Sequence, residues 1–132
     1  MKGLRRKPTD AELAILTVLW SRGPSTVRQI AEEMGREAGY TTILKLLQIM
    51  TEKRLVVRDE AARTHVYAAA STQDQTQRQL VTDLLERAFD GSAAKLVLQA
   101  LAASKTSPED LAEIKKLLRG AAGDGSKPGG SR

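Results

Sequence analysis

The fold is decided by residues 40–57, YTTILKLLQIMTEKRLVV. Four apolar side chains of this stretch have the i, i+3, i+4, i+7 spacing of a buried helical face: Ile43, Leu46, Leu47 and Met50. The opposite face is short and polar, and it carries Thr41, Lys45, Gln48 and Glu52. Such side chains offer hydrogen bonds to base edges without the bulk that would hold a helix off the floor of a DNA groove. The pattern predicts a helix whose outer face either contacts DNA or is the solvated face of an ordinary amphipathic helix.

Two shorter helices are predicted ahead of this stretch. Thr9 and Glu12 have the spacing of a capping box, in which each side chain accepts the other residue's backbone N–H. The first helix would bury Leu13, Ile15, Leu16, Leu19 and Trp20, and Gly23-Pro24 ends it. Ser25 or Thr26 caps the second helix, whose inward side chains are Val27, Ile30, Ala31 and Met34. Residues 35–39 then form the turn into the third helix.

A β-hairpin is predicted after the third helix. Residues 55–58 and 64–68 are short β-prone runs, and residues 59–63 form a polar loop between them. Three short helices followed by a hairpin is the order of a winged helix, in which the third helix enters the major groove and the hairpin lies along the flanking backbone. Arg58 and Arg63 would then lie near phosphates. We therefore expect residues 1–71 to be a winged helix-turn-helix domain, in a fold that is mainly α with a small β-hairpin.

The remaining chain is predicted to form three more helices and a tail. Residues 72–119 carry more apolar surface than so short a segment can bury within itself, and the middle helix is apolar on nearly every side. A second copy of the chain is the simplest cover, so this segment is predicted to be a helical dimerisation domain. The predicted interface comprises Leu80, Leu84, Phe89, Leu96, Val97, Leu98, Leu101, Leu111, Ile114 and Leu118. Residues 120–132 are rich in Gly, Ser and Pro and are predicted to be disordered.

Composition excludes several kinds of function. The absence of cysteine excludes disulfide frameworks, zinc fingers and thiol nucleophiles. No apolar run is long enough for a membrane span and the N-terminus has no signal-peptide core, so we expect a cytoplasmic protein without membrane insertion. His65 is the only histidine and has no paired carboxylates beside it in sequence, which argues against a metal site. No hydroxyl has a base beside it and no Gly-rich loop fits a nucleotide, so neither an enzyme nor a cofactor is predicted.

Positive charge is concentrated in the first half of the chain. Of the net charge of +5, residues 1–71 supply +4, because they hold twelve Lys or Arg against eight Asp or Glu. Residues 72–119 hold seven of each and are neutral. A basic excess of this size permits a polyanionic partner such as double-stranded DNA but does not by itself require one.

The chain resembles the penicillinase repressor family, the BlaI/MecI transcriptional repressors. The resemblance covers residues 9 to about 119 and rests on TDAELAILTVLWSRGPSTVRQIAEEM, YTTILKLLQIMTEKRLV, a basic hairpin ending in VYAA, and AAKLVLQALAAS. It implies a homodimeric winged-helix repressor on an inverted-repeat operator. It also implies that the repressor is released from its operator when a membrane sensor protease triggers cleavage within the C-terminal half of the repressor.

The resemblance assigns roles to particular residues. The recognition helix matches the family at Tyr40, Thr41, Thr42, Lys45 and Gln48. The predicted DNA-binding set comprises these five residues, Leu44 of the same helix, Arg28 of the second helix, and Arg58 and Arg63 of the hairpin. Family members are cut between an amide residue and an aromatic one. Gln99 and Ala100 occupy that region here, so the aromatic residue is missing.

Two positions depart from the family pattern. Ile49 stands where a basic residue is usual, which removes a phosphate contact or turns this side chain against an apolar neighbour. Arg54 stands where a Gly usually ends the helix, which leaves the turn into the hairpin undetermined.

An alternative function from another class is a helical assembly module that uses the winged helix to bind protein. Such a module would present an apolar patch on the outer face of the third helix. A DNA-binding protein would present one positive surface formed by that face, the hairpin and the amino end of the second helix.

Overall fold

A computed structural model describes residues 7–35 and 39–125, with side chains up to residue 121. In chain order its elements are α1 (Asp10–Arg22), α2 (Val27–Met34), α3 (Tyr40–Glu52), β1 (Val56–Asp59), β2 (Val66–Ala69), α4 (Gln73–Ala88), α5 (Ala93–Ala103) and α6 (Pro108–Gly125). This order confirms the predicted winged helix followed by a helical segment. The middle of the predicted turn before α3, residues 36–38, lies outside the described residues.

The first two helices begin as their sequences predict. The Thr9 hydroxyl accepts the Glu12 N–H at 3.2 Å while a Glu12 carboxylate oxygen accepts the Thr9 N–H at 2.9 Å, which completes the capping box of α1. α1 ends at Gly23, whose φ of 94° is open to glycine but strained for other residues. Thr26 is the cap of α2, and it forms a second capping box with Gln29.

Ser25 has a different task from capping. Its N–H donates to the Tyr67 carbonyl at 2.9 Å and its own carbonyl accepts the Tyr67 N–H at 2.8 Å, so it pairs with the hairpin as a single antiparallel bridge. The side chain is fully buried and donates to the Gly23 carbonyl. The chain between α1 and α2 is therefore attached to β2, a pairing that the sequence pattern did not predict.

The core of the winged helix joins all three helices to the hairpin. The stripe predicted on α3 is confirmed, since Ile43, Leu47 and Met50 are fully buried and Leu46 packs against them. The other buried apolar side chains are Ile15, Leu16, Leu19, Val27, Ile30, Val56 and Tyr67. Burying this stripe leaves the opposite face of α3 in solvent, which decides the side of the helix that a partner can reach.

A buried ion pair connects α1 to the end of α3. Glu12 is 2% exposed, and its two carboxylate oxygens accept from the Lys53 ammonium at 2.9 and 3.0 Å. One of these oxygens also accepts the Thr9 N–H. The Lys53 side chain is 23% exposed, so the pair lies at the edge of the core. The two residues are 41 positions apart in the sequence, and their contact holds the carboxyl end of α3 against the amino end of α1.

α3 ends in a Schellman motif with an arginine at its left-handed position. The Arg54 N–H donates to the Thr51 carbonyl and the Leu55 N–H donates to the Met50 carbonyl, and Arg54 has a φ of 66°. This is the position where the family pattern has Gly. The turn is thus the same one that a Gly would form, with the strain of a side chain added.

Replacing Arg54 by Gly is expected to stabilise the protein by about 0.5–1 kcal/mol. A non-glycine residue in this conformation costs about 1–2 kcal/mol, of which the extra freedom of Gly in the unfolded chain offsets about 0.5–1 kcal/mol. Urea denaturation at a fixed protein concentration measures the change. Arg54→Ala is the control, because it removes the same charge but keeps the Cβ. Equal stability of the two variants would contradict the prediction.

The hairpin places alternate residues on opposite faces. β1 and β2 are antiparallel with Val56 opposite Ala69 and Arg58 opposite Tyr67. Val56 and Tyr67 are buried, and Arg58 lies on the same face by the period of two but is itself exposed. β1 begins one residue later than predicted, because Leu55 is held in the turn that ends α3. β2 begins two residues later than predicted.

The chain divides into two compact units, Met1–Glu86 and Arg87–Arg132, which we call the N-terminal unit and the C-terminal unit. The division falls inside α4 rather than after residue 71. The first part of α4 belongs with the winged helix, because Thr76 is buried and Lys7 pairs with Asp83 at 3.3 Å. The Trp20 indole also donates to the Ser71 carbonyl at 2.8 Å.

Up to residue 121, the C-terminal unit has no core of its own in a single chain. Of the residues from 87 to 121, none is buried. α5 is capped by the Ser92 hydroxyl, which accepts the Lys95 N–H, and α6 by the Ser107 hydroxyl, which accepts the Asp110 N–H. α6 continues to Gly125, so residues 120–125 are helical where disorder was predicted, since an established helix extends at little cost. Residues 126–132 of the predicted tail lie outside the described residues.

Candidate nucleic-acid interface

The outer face of α3 is a polar surface. Thr41, Thr42, Lys45 and Gln48 are all exposed, as the helical period predicts. Leu44 differs from them, because it is half-buried and packs against the core. The face therefore offers two hydroxyls, an amide and an ammonium group to a partner, while Leu44 lies at its edge.

The amino end of α3 leaves backbone N–H groups without a side-chain cap. Its N-cap is Gly39, and within the described part of the chain no side chain accepts from the first turn. The other two helices of the winged helix are capped by Thr9 and Thr26. Free N–H groups and the helix dipole together favour an anion at this end.

A cavity of about 370 Å³ lies between α2, α3 and the hairpin loop. We call it the wing cavity, and its lining residues are Val27, Arg28, Tyr40, Leu44, Arg63, Thr64, His65 and Tyr67. Four residues of the predicted DNA-binding set are thus brought together from three separate segments: Arg28, Tyr40, Leu44 and Arg63. The cavity joins the amino end of α3 to the hairpin in one continuous surface.

The wing cavity is basic. Arg28 and Arg63 are exposed, and within residues 7–35 and 39–125 neither forms an ion pair. Tyr40 and Thr64 add hydroxyl groups at the same place. Guanidinium and hydroxyl groups around a concave surface are suited to bind a phosphate group.

Arg58 is placed differently from the other predicted arginines. It forms an ion pair with Glu60 on the same hairpin. A hydrogen bond to Tyr67, and then the hydrogen bond and charge of Glu60, raise the pKa of Arg58 above its usual value. Its guanidinium is therefore engaged within the hairpin and does not line the wing cavity.

Thr64 and His65 also line the wing cavity, although neither belongs to the predicted DNA-binding set. Strand periodicity gives no signal for this placement, because residues 61–64 form a bend and the consecutive residues Arg63, Thr64 and His65 all line the cavity. The sequence also does not show which residues of α2 and α3 lie opposite this bend.

Comparison with known proteins gives the family. A family model described as the penicillinase repressor matches residues 8–120. The chain belongs to the penicillinase repressor family. Two relatives, both named Transcriptional regulator BlaI and from the CDC 1551 / Oshkosh and H37Rv strains of Mycobacterium tuberculosis, are each 33% identical over 122 residues. Those alignments cover 90% of this chain and 88% of each relative.

Family membership confirms the coarse function predicted from the sequence. Penicillinase repressor family members are transcriptional regulators and not enzymes, and this chain has the winged-helix fold of a transcriptional repressor.

Two solved structures are also similar. The solution structure of apo-NmtR is 29% identical with a TM-score of 0.47, covering 64% of this chain and 70% of that one. A MarR family protein from Bacillus stearothermophilus is 18% identical with a TM-score of 0.49, covering 96% and 81%.

Among the residues that the structure describes, no three His, Asp or Glu side chains are grouped so that they could hold a metal ion. In the same part of the chain, no helix combines the length and the apolar character needed to cross a membrane.

Proposed function

We propose that the protein is a dimeric repressor that binds an inverted-repeat operator in double-stranded DNA through α3 and the hairpin. The observation that carries this proposal is the wing cavity, which joins Arg28 of α2, Tyr40 of α3 and Arg63 of the hairpin into one basic surface beside the polar face of α3. An assembly module would instead need an apolar patch at this place.

In this arrangement α3 lies in the major groove. Thr42, Lys45 and Gln48 are exposed on its outer face, and the uncapped first turn approaches the backbone. Lysine donates to the acceptor atoms of guanine, and amide and hydroxyl groups bond to other base edges. Lys45 and Thr42 are therefore assigned to base contacts, and Thr41 to a phosphate.

The wing cavity would hold a backbone phosphate. Arg28 and Arg63 supply the positive charge, and Tyr40 supplies a hydroxyl at the start of α3. Contacts of this kind set the position of the protein on DNA but do not select its sequence. Arg58 can contact a phosphate only if its ion pair with Glu60 breaks. We therefore expect Arg58 to contribute less to DNA binding than Arg63.

The dimer is proposed from the C-terminal unit. α5 has no buried residue, and Val97, Leu98 and Leu101 are exposed along it. Leu111, Leu117 and Leu118 are exposed on α6. Covering apolar surface is favourable by about 25 cal/mol per Å², and a twofold arrangement lets the same faces cover each other. Two winged helices related by a twofold axis then match an inverted repeat.

We also propose that proteolysis releases the repressor from its operator. Gln99 and Ala100 are exposed on α5, in the helix proposed to hold the dimer together. A cut there would separate the apolar side chains on either side of it, and the dimer would lose affinity for the operator. The proposed partner is a membrane sensor with an associated protease, acting on a repressor in the cytoplasm.

The proposal is tested by a mobility shift on the DNA upstream of the protein's own gene. Because Lys and Arg release counterions from the phosphates they neutralise, the affinity should fall steeply and linearly on a logarithmic scale as salt rises. Arg63→Ala should weaken binding to all sequences alike and reduce the salt slope by about one. Binding that does not change between low and moderate salt would contradict a phosphate-binding surface.

Replacing Lys45 by Ala is expected to weaken specific operator binding by about 1–3 kcal/mol, because a base contact is lost. Binding to unrelated DNA should change much less. Lys105→Ala removes the same charge at an exposed position between α5 and α6 and serves as the matched control. If Lys45→Ala and Lys105→Ala bind the operator equally well, α3 does not lie in the groove as proposed.

A further inference from the structure

Ile49 is an apolar side chain within the polar outer face of α3. It is 40% exposed and is not one of the buried side chains of the core. It follows Lys45 by four positions and Thr42 by seven, so the three side chains lie in one row along the helix. Much of the Ile49 side chain is therefore open to solvent rather than buried in the core.

The position of this side chain limits what it can contact in a DNA groove. If Lys45 contacts a base edge, Ile49 lies about 5–6 Å further along the helix, over a neighbouring base step. Most groups on the floor of the major groove are hydrogen-bond donors or acceptors, which Ile49 cannot satisfy. The apolar exception is the 5-methyl group of thymine.

This limitation would produce sequence selectivity. An isoleucine pressed against cytosine, guanine or adenine removes water from polar atoms that then have no partner, which is unfavourable. Against thymine it removes water from a methyl group, which is favourable. The same side chain therefore penalises three bases and favours the fourth.

We propose that Ile49 is a specificity-determining residue that contacts the 5-methyl group of a thymine in each operator half-site. This inference rests on the proposed function, because it requires α3 to lie in the major groove. It goes beyond that function by assigning one base identity to one side chain, at a position where the family pattern has a basic residue.

The test uses operator DNA in which deoxyuridine replaces thymidine at one position of each half-site in turn. This replacement removes the methyl group and keeps the base pair. The operator is first located by footprinting upstream of the protein's own gene. For the intact protein, one position should weaken binding by roughly fourfold per half-site, the effect of one methyl group that is no longer buried.

Ile49→Ala should bind the thymidine operator less tightly and lose its sensitivity to deoxyuridine at that position. Ile49→Val keeps methyl groups and should retain part of the sensitivity. Val81→Ala is the matched control, since Val81 is also exposed and apolar, at 43%, but lies on α4. It should keep the full sensitivity. Circular dichroism on each variant checks that the fold is retained.

The outcomes separate this inference from the proposed function. If the intact protein fails to bind DNA, both are overturned. If it binds the operator but no deoxyuridine position matters, only the role of Ile49 is overturned. The same conclusion follows if Ile49→Ala keeps the sensitivity of the intact protein, because another side chain then contacts the methyl group.

Discussion

Replacing Lys53 by Met is expected to lower the free energy of unfolding by about 3 kcal/mol. The substitution keeps most of the aliphatic stem but leaves the Glu12 carboxylate without its cation at a position that is 2% exposed. Removing one partner of a buried ion pair typically costs about 3–5 kcal/mol. The lower end applies here, because Lys53 is partly open to water and the Thr9 N–H still donates to Glu12. Urea denaturation at a fixed protein concentration measures the change.

Two further variants isolate the cause. In the double variant Glu12→Gln with Lys53→Met, no charge is left buried, so much of the lost stability should return. Arg78→Ala breaks the exposed pair with Asp74, which has a similar length of 3.1 Å, and should change stability little. If Lys53→Met is as harmless as Arg78→Ala, the pair between α1 and α3 does not stabilise the winged helix.

Replacing Leu98 by Asp is expected to give a monomer that binds the operator about 10²–10⁴-fold more weakly. Leu98 is the most exposed large apolar side chain of α5, at 66%, and a carboxylate there would lie inside the proposed dimer interface. In a dimer the second half-site contact is intramolecular, and this advantage is what the monomer loses. Sedimentation gives the oligomeric state, and a mobility shift on the full operator gives the affinity.

The matched control is Gln99→Asp, which introduces the same charge on the same helix at a residue that is already polar. It should remain dimeric and keep its affinity. A Leu98→Asp protein that stays dimeric, or a monomer that holds the full operator as tightly as the intact chain, would overturn the proposed role of α5.

The position of α4 affects how the DNA-binding half can be isolated. A truncation after residue 72 would remove Thr76 and Asp83, both of which contribute to the N-terminal unit. A truncation of this kind tests folding and DNA binding together. Point substitutions in the full chain, such as Leu98→Asp, separate the two effects.

The sequence by itself determined the helices, their starts and the buried face of α3. These features depend on residues within about four positions of one another, as in the capping box of Thr9 and Glu12 or the stripe of Ile43 and Leu47. Local spacing also predicted a hairpin and an exposed Lys45. The helix starts and the polar outer face of α3 could therefore be predicted without knowledge of the rest of the chain.

Only the tertiary structure decided which of the predicted side chains meet. The bridge of Ser25 to Tyr67 and the pair of Glu12 with Lys53 each join residues about 40 positions apart. Arg58 and Arg63 look alike in sequence, yet the register of the hairpin turns Arg58 toward Tyr67 and leaves Arg63 at the wing cavity with His65. Contacts of this kind depend on how separate elements pack, and periodicity along a single element carries no information about that.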